Sequence, residues 1–184
     1  TTAVNLGTVG VTGVLSVTSG EAITDSGVIT VTTTSSFTTD VNNKAITLDS
    51  SNAMSGNITV STLGTTGNVT IDNGTTALGI QGTVNGALDL TAGAAITDSS
   101  TLTVSGASDF TIDNGSNHIT LGSAALTGAI GVSTTGTSNF TLDNTTTAVN
   151  LGTVGVTGVL SVTSGEAITD SGVITVTTTS SFTT

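Results

Sequence analysis

Apolar and polar residues alternate one by one over short runs along the whole chain, and no run shows a helical stripe. In Leu126-Thr-Gly-Ala-Ile130-Gly-Val132, the residues Leu126, Gly128, Ile130 and Val132 point one way, and Thr127, Ala129 and Gly131 the other. Three such motifs recur. One carries a central glycine: Val11 to Val17, Met54 to Val60, Val84 to Leu90 and Leu126 to Val132. A second ends in aspartate, as in Phe37 to Asp40, Val69 to Asp72, Phe110 to Asp113 and Phe140 to Asp143, with Ala22 to Asp25 and Ala95 to Asp98 as shorter relatives. The third is Ala45 to Leu48, echoed by Ala3 to Leu6, Ala77 to Ile80 and His118 to Leu121. Between them stand turn signals such as Asp72-Asn73-Gly74, Asp113-Asn114-Gly115 and Asp25-Ser26-Gly27. The pattern predicts many strands of about four to seven residues.

The motifs belong to a larger repetition. Residues 1–39 recur unchanged at 146–184, which sets a tandem period of 145 residues. A weaker repeat of about 72 residues lies inside it, residues 69–139 matching the stretch that begins at 140 and continues as 37–68. A repeat of this kind is read before anything else, because it decides the fold. We expect residues 1–184 to be one continuous solenoid segment, cut from a longer array with more copies. Immunoglobulin-like arrays want a large aromatic core, and propellers a regular period of about 40–50 residues. The expected fold is all-β, a right-handed parallel β-helix with six or seven coils per period. The glycine motifs are unevenly spaced: the steps from Gly13 to Gly56 and from Gly86 to Gly128 are long, and those from Gly56 to Gly86 and from Gly128 to Gly158 are short. This alternation predicts one face with loops of variable length.

Composition supports order and narrows function. Val, Ile and Thr dominate, apolar residues reach 35%, and only four Phe supply aromatic bulk, which suits a narrow core of small and branched side chains. Charged residues are too few for a disordered acidic tail. Lys44 is the single Lys or Arg against 12 Asp and Glu, a net charge of −11. Phosphate backbones and anionic membrane surfaces need Lys and Arg, so neither nucleic acid nor a lipid surface is an expected partner. No run of about 18 apolar residues occurs, so no membrane insertion is expected in this segment. There is no Cys, hence no disulfide and no thiolate metal site.

Strings such as AITDSGVITVTTTSSFTT, HITLGSAALTGAIGV and ALDLTAGAAITDSS resemble the repeat shafts of filamentous-haemagglutinin-like proteins, the two-partner-secreted and autotransporter adhesins of Gram-negative bacteria. The resemblance covers the whole chain and rests on solenoid pattern and composition. It implies a right-handed parallel β-helix, export across the outer membrane, a place on the cell surface and a role in adhesion or cell–cell contact. The family's Asn-Pro-Asn secretion signature does not occur, since the chain has no Pro.

Candidate chemistry is sparse. One Lys, one His and no Arg leave general acid–base catalysis and oxyanion stabilisation almost without candidates, so no catalytic, cofactor or metal residue is expected. His118 fills a place held by Ala3, Ala45 and Ala77, a variable position beside a turn. Stacked coils could align Asp25, Asp40, Asp72, Asp98, Asp113 and Asp143 into a ladder, a weak possibility for Ca²⁺, though a turn aspartate ordinarily caps backbone amides. Gly13, Gly56, Gly86 and Gly128 read as inward positions of close backbone approach. Thr30, Thr32, Thr101 and Thr103 suggest outward T-x-T rows of an ice-binding kind, against the plainer reading that Thr is a good polar strand former. Asn57, Asn68, Asn139 and Asn144 match the glycosylation sequon, a pattern that arises freely in Thr-rich chains. The expected function is a structural fibre or adhesin shaft, partnered by further copies of its own repeat and by lateral self-association. An ice- or carbohydrate-binding rod is the alternative, and a β-helical polysaccharide-degrading enzyme fragment a further one.

Overall fold

A chain whose apolar residues fall at every second position must bury one side of each strand, and with so few aromatics the core has to be thin. Winding the chain so that each coil lays its apolar side over the last meets both demands. The computed structural model, which describes residues 2–144 and 146–184, has this form. Among the described residues the regular elements are all strands, paired in parallel and stacked into a β-solenoid of about nine coils.

On the first long sheet, successive coils contribute Val4–Leu6, Ile23–Asp25, Ile46–Leu48, Val69–Asp72, Leu88–Ala92, Ser108–Ile112, Ala129–Ser133, Val149–Val156 and Ile168–Asp170. The second long sheet is built of Leu15–Ser19, Ser35–Asn42, Asn57–Leu63, Leu78–Val84, Ile96–Val104, Ile119–Leu121, Phe140–Asn144, Leu160–Ser164 and Ser180–Thr183. A short stack of Val9–Val11, Ile29–Val31 and Ala53–Met54 stands between them in the first three coils. The step from Val4–Leu6 to the identical residues at Val149 is seven coils on the first sheet, so the 145-residue period is seven coils long.

An odd number of coils has a consequence for the weaker repeat. Half a period is three and a half coils, so equivalent residues land on alternate sheets. Phe37 lies on the second sheet, its counterpart Phe110 on the first, and Phe182 on the second again. Leu15, Leu88 and Leu160 alternate in the same way. This accounts for the uneven glycine spacing. The long steps, Gly13 to Gly56 and Gly86 to Gly128, span two coils, and the short ones, Gly56 to Gly86 and Gly128 to Gly158, span one and a half. Variable loops on one face are not the cause, which corrects the reading from sequence.

The core is a set of vertical columns, such as Ile23, Ile46, Val69 and Leu88, with Phe37 over Val60 on the other sheet. Phe110 and Phe140 face each other across it, ring centroids 6.4 Å apart. Each fully buried Val, Leu, Ile or Phe is worth roughly 1.5–3 kcal/mol, and backbone amides are satisfied by the neighbouring coils. Polar residues also stand at inward positions, among them Ser35 and Ser108. Ser35 donates to the Met54 sulfur, and the buried Ser108 hydroxyl finds no hydrogen-bond partner among the described residues.

Candidate functional site

The corners carry most of the polar chemistry, because there the chain leaves one sheet for the next and its backbone groups need partners. Asn73 and Asn144 are fully buried and solve this in one way. The Asn73 side-chain carbonyl accepts from the Met54 N–H (2.9 Å), while its amide group donates to the Met54 carbonyl (3.0 Å) and to the Ala77 carbonyl (2.8 Å). Asn144 repeats this on Leu126, accepting from its N–H (2.8 Å) and donating to its carbonyl (3.1 Å). Each amide stands in for a missing strand: it closes the short stack that ends at Met54, or the side branch in which Ala124–Leu126 pairs with the end of Ile96–Val104. Neither role was visible in the sequence, where an Asn beside Gly or Thr reads as an ordinary surface turn.

Exposed corners are capped more simply. Side-chain carbonyls of Asn68 and Asn139 accept from the N–H of Ala87 and Val159 in the next coil. His118 belongs to this class. Its Nδ1 accepts from the Asn139 N–H at 3.0 Å, the role of a capping Asn, and the side chain is exposed.

The six aspartates do not form one ladder. Asp25, Asp72 and Asp113 sit on or beside the first sheet, and Asp40, Asp98 and Asp143 on the second. Asp25 and Asp98 cap the following coil rather than their own turn. Asp25 accepts from the N–H of Asp49 and Ser50, the Ser50 hydroxyl and the Asn52 amide at 2.7 Å. Asp98 accepts from the N–H of Gly122 and Ser123. Asp72 caps its own turn at Gly74 and also takes the Ser51 hydroxyl. Asp72 and Asp113 share a shallow hollow of about 350 Å³ with Ser51 and Asn114. No group of three His, Cys, Asp or Glu placed to hold a metal occurs among the described residues.

A carboxylate pair that sequence reasoning missed lies on the outer face of the first sheet. Asp89 and Asp109 are direct ladder partners, side by side on adjacent strands. Burial, and then the neighbouring charge of Asp109, push the Asp89 carboxyl above the usual carboxylate range. Their separation along the chain gives no sign of this in the sequence, since only the register brings them together. The one cation, Lys44, pairs with Glu21 of the preceding coil.

The four threonines expected in rows are separated. Thr30 is flanked in its column by Gly10 and Ala53, and Thr32 bonds to the Thr12 carbonyl. Thr103 does join a hydroxyl column, Thr18, Thr38, Ser61, Thr83 and Thr103, while Thr101 lies outside the paired register. A second column runs Thr97, Thr120, Thr141, Ser161 and Ser181. Among the sequon residues, Asn144 is buried. The motif glycines lie at corners, not inward, and three of them, Gly56, Gly86 and Gly128, press on the preceding coil: a Cβ at Gly56 would meet the Thr33 carbonyl, and one at Gly128 the Gly106 carbonyl, whereas one at Gly13 in the first coil would meet nothing.

A family model described as repeats of unknown function (DUF5649) matches residues 1–61, 66–133 and 137–184, nearly the whole chain. No curated protein and no solved structure matches it.

Proposed function

The chain belongs to this DUF5649 repeat family, and we propose that it is a stretch of the shaft of a secreted or surface-anchored bacterial fibre, serving adhesion or contact with other cells or a matrix. It is a structural repeat protein in the form of a β-solenoid. The observation that carries the reading is continuity. Apolar columns and coil-to-coil hydrogen bonds run from the first coil to the last, so each added repeat lengthens the same rod. Strand edges that would otherwise invite pairing are confined to the two ends. In this reading the shaft performs no catalysis, holds no cofactor and works outside the cell. It has further copies of its repeat along the axis as partners, and copies lying side by side. The acidic, hydroxyl-rich coat resists unspecific binding, so attachment falls to distal domains or lateral contacts.

Tandem arrays of one, two and four 145-residue copies test this. At roughly 4.8 Å per coil, imaging should show about 34 Å of added length per copy. Fibre diffraction should place a spacing near 4.8 Å along the long axis. Particles whose length does not grow with copy number would overturn the reading. The hydroxyl column from Thr97 to Ser181 favours a second reading, an ice- or carbohydrate-binding rod. Ice recrystallisation and glycan-binding assays on Thr120→Val and Thr141→Val test it, and activity lost in both variants would support it.

A further inference from the structure

The last coil exposes an apolar face whose proper cover can be read from elsewhere in the same molecule. Residues 168–183 leave Ile174 and Phe182 36% and 47% exposed, around a hollow of about 320 Å³ lined also by Leu151, Ile168 and Asp170. Their identical counterparts at 23–38 are covered by the coil of residues 44–63, with Ile46 on Ile23, Met54 on Val31 and Val60 on Phe37.

Three polar features of that cover are specific. Lys44, the one cation, pairs with Glu21. Ser50 and Asn52 bring donors to Asp25, and the Asn52 carbonyl oxygen accepts from the Ile29 N–H at 2.7 Å. Gly56 lets the corner close onto the Thr33 carbonyl, where any side chain would collide. Glu166, Asp170, Ile174 and Thr178 occupy the same places in the second copy.

We infer that the face of residues 168–183 is a docking surface for one coil with the sequence of residues 40–63, supplied by the succeeding repeat and selected by its Lys, its Asn and its Gly. The inference rests on the rod reading above and adds to it an order: a coil is recognised by the coil before it. The first coil of a second molecule meets the apolar part of the demand but not the polar part. It has no cation for Glu166, and by register Val9 would stand where Asn52 accepts from the Ile29 N–H and donates to Asp25.

The test is a chain extended past Thr184 by a second copy of residues 40–68, beside three others. One carries Lys44→Glu and Asn52→Ala in the appended copy, one carries Gly56→Val there, and one is extended by residues 85–104 instead. Amide exchange at residues 168–183 should slow at least tenfold with the matching extension and by much less in the other three. Equal protection from residues 85–104 or from the variants would overturn the inference. So would no protection from the matching extension, or protection of the unextended chain that rises with its concentration. If residues 46–162 exchange freely in every chain, the rod reading itself fails, a result distinct from all of these.

Discussion

Residues 2–39 and 147–184 are the same sequence in two places, and the fold treats them in opposite ways. In the first copy the leading coil is half-exposed at Val4, Leu6 and Leu15, and the second coil is buried at Ile23, Ile29 and Phe37. In the second copy Val149, Leu151 and Leu160 are buried, while Ile174 and Phe182 lie open. The sequence does not differ, and local structure differs chiefly where Val4–Leu6 and Val9–Val11 are joined into the single strand Val149–Val156, so burial here is a property of the neighbours. Each coil supplies half of an interface and depends on the adjoining coils for the other half, the behaviour of a one-dimensional repeat whose stability lies largely between units.

The comparison can be broken most directly at its aromatic pair. Phe37→Ala should cost about 3–5 kcal/mol, as for other fully buried Phe, whereas Phe182→Ala should cost about 1 kcal/mol or less. Urea titrations of the two variants would show it, and equal losses would mean that the last coil is covered in solution. Next is the aspartate pair. Asp25→Ala removes a carboxylate that takes four donors from the following coil and should cost about 2 kcal/mol. Asp170→Ala, whose carboxylate takes no such donors among the described residues, should stay within about 0.5 kcal/mol in the same titration on residues 1–184.

The glycine pair is smaller and tests the opposite end. A Cβ at Gly158 would lie 2.7 Å from the Ser138 carbonyl oxygen, while one at Gly13 meets nothing. Gly158→Ala should therefore destabilise by about 1–2 kcal/mol, and Gly13→Ala should be neutral or raise the melting temperature slightly.

The smallest effect concerns the interior, where coils on both sides crowd a carboxylate. Asp89 is raised above its ordinary value of 3.8 by burial and by Asp109. Within the window above 3.8 the folded chain binds more protons than the unfolded one, so stability falls as pH rises through it. Asp89 is only partly buried, which limits the change to a few tenths of a kcal/mol. Urea midpoints from pH 3 to 7 should show the slope, and Asp109→Asn should flatten it.

Much of the architecture was legible in the residues. Alternation predicted strands and the duplication predicted stacked coils, both of which the fold contains, although the run Leu126 to Val132 is split by the corner at Gly128 between Ala124–Leu126 and Ala129–Ser133. The sheet on which a motif lies was not legible. Spacing counts residues, and the sheet depends on turns, so Phe37 and Phe110 look equivalent although they face each other's sheets. The capping amides escaped for a related reason. Asn73 and Asn144 differ from a surface Asn only in the coil they reach, Met54 or Leu126, and that partner is fixed by register over 18 or 19 residues. Asp25 and Asp98 were correctly read as amide caps, but their partners lie 24 and 25 residues on, where a local turn model does not look.

The half-integral number of coils in each half-period gives the rod a screw-like pseudo-symmetry. The inward pattern shown by one sheet recurs on the opposite sheet about 17 Å further along, at roughly 4.8 Å per coil, while outer side chains differ, Asp89 and Asp109 answering to Ser161 and Ser181. Such a rod has direction along its length, and its two flanks are related by half a turn and half a period rather than by chance.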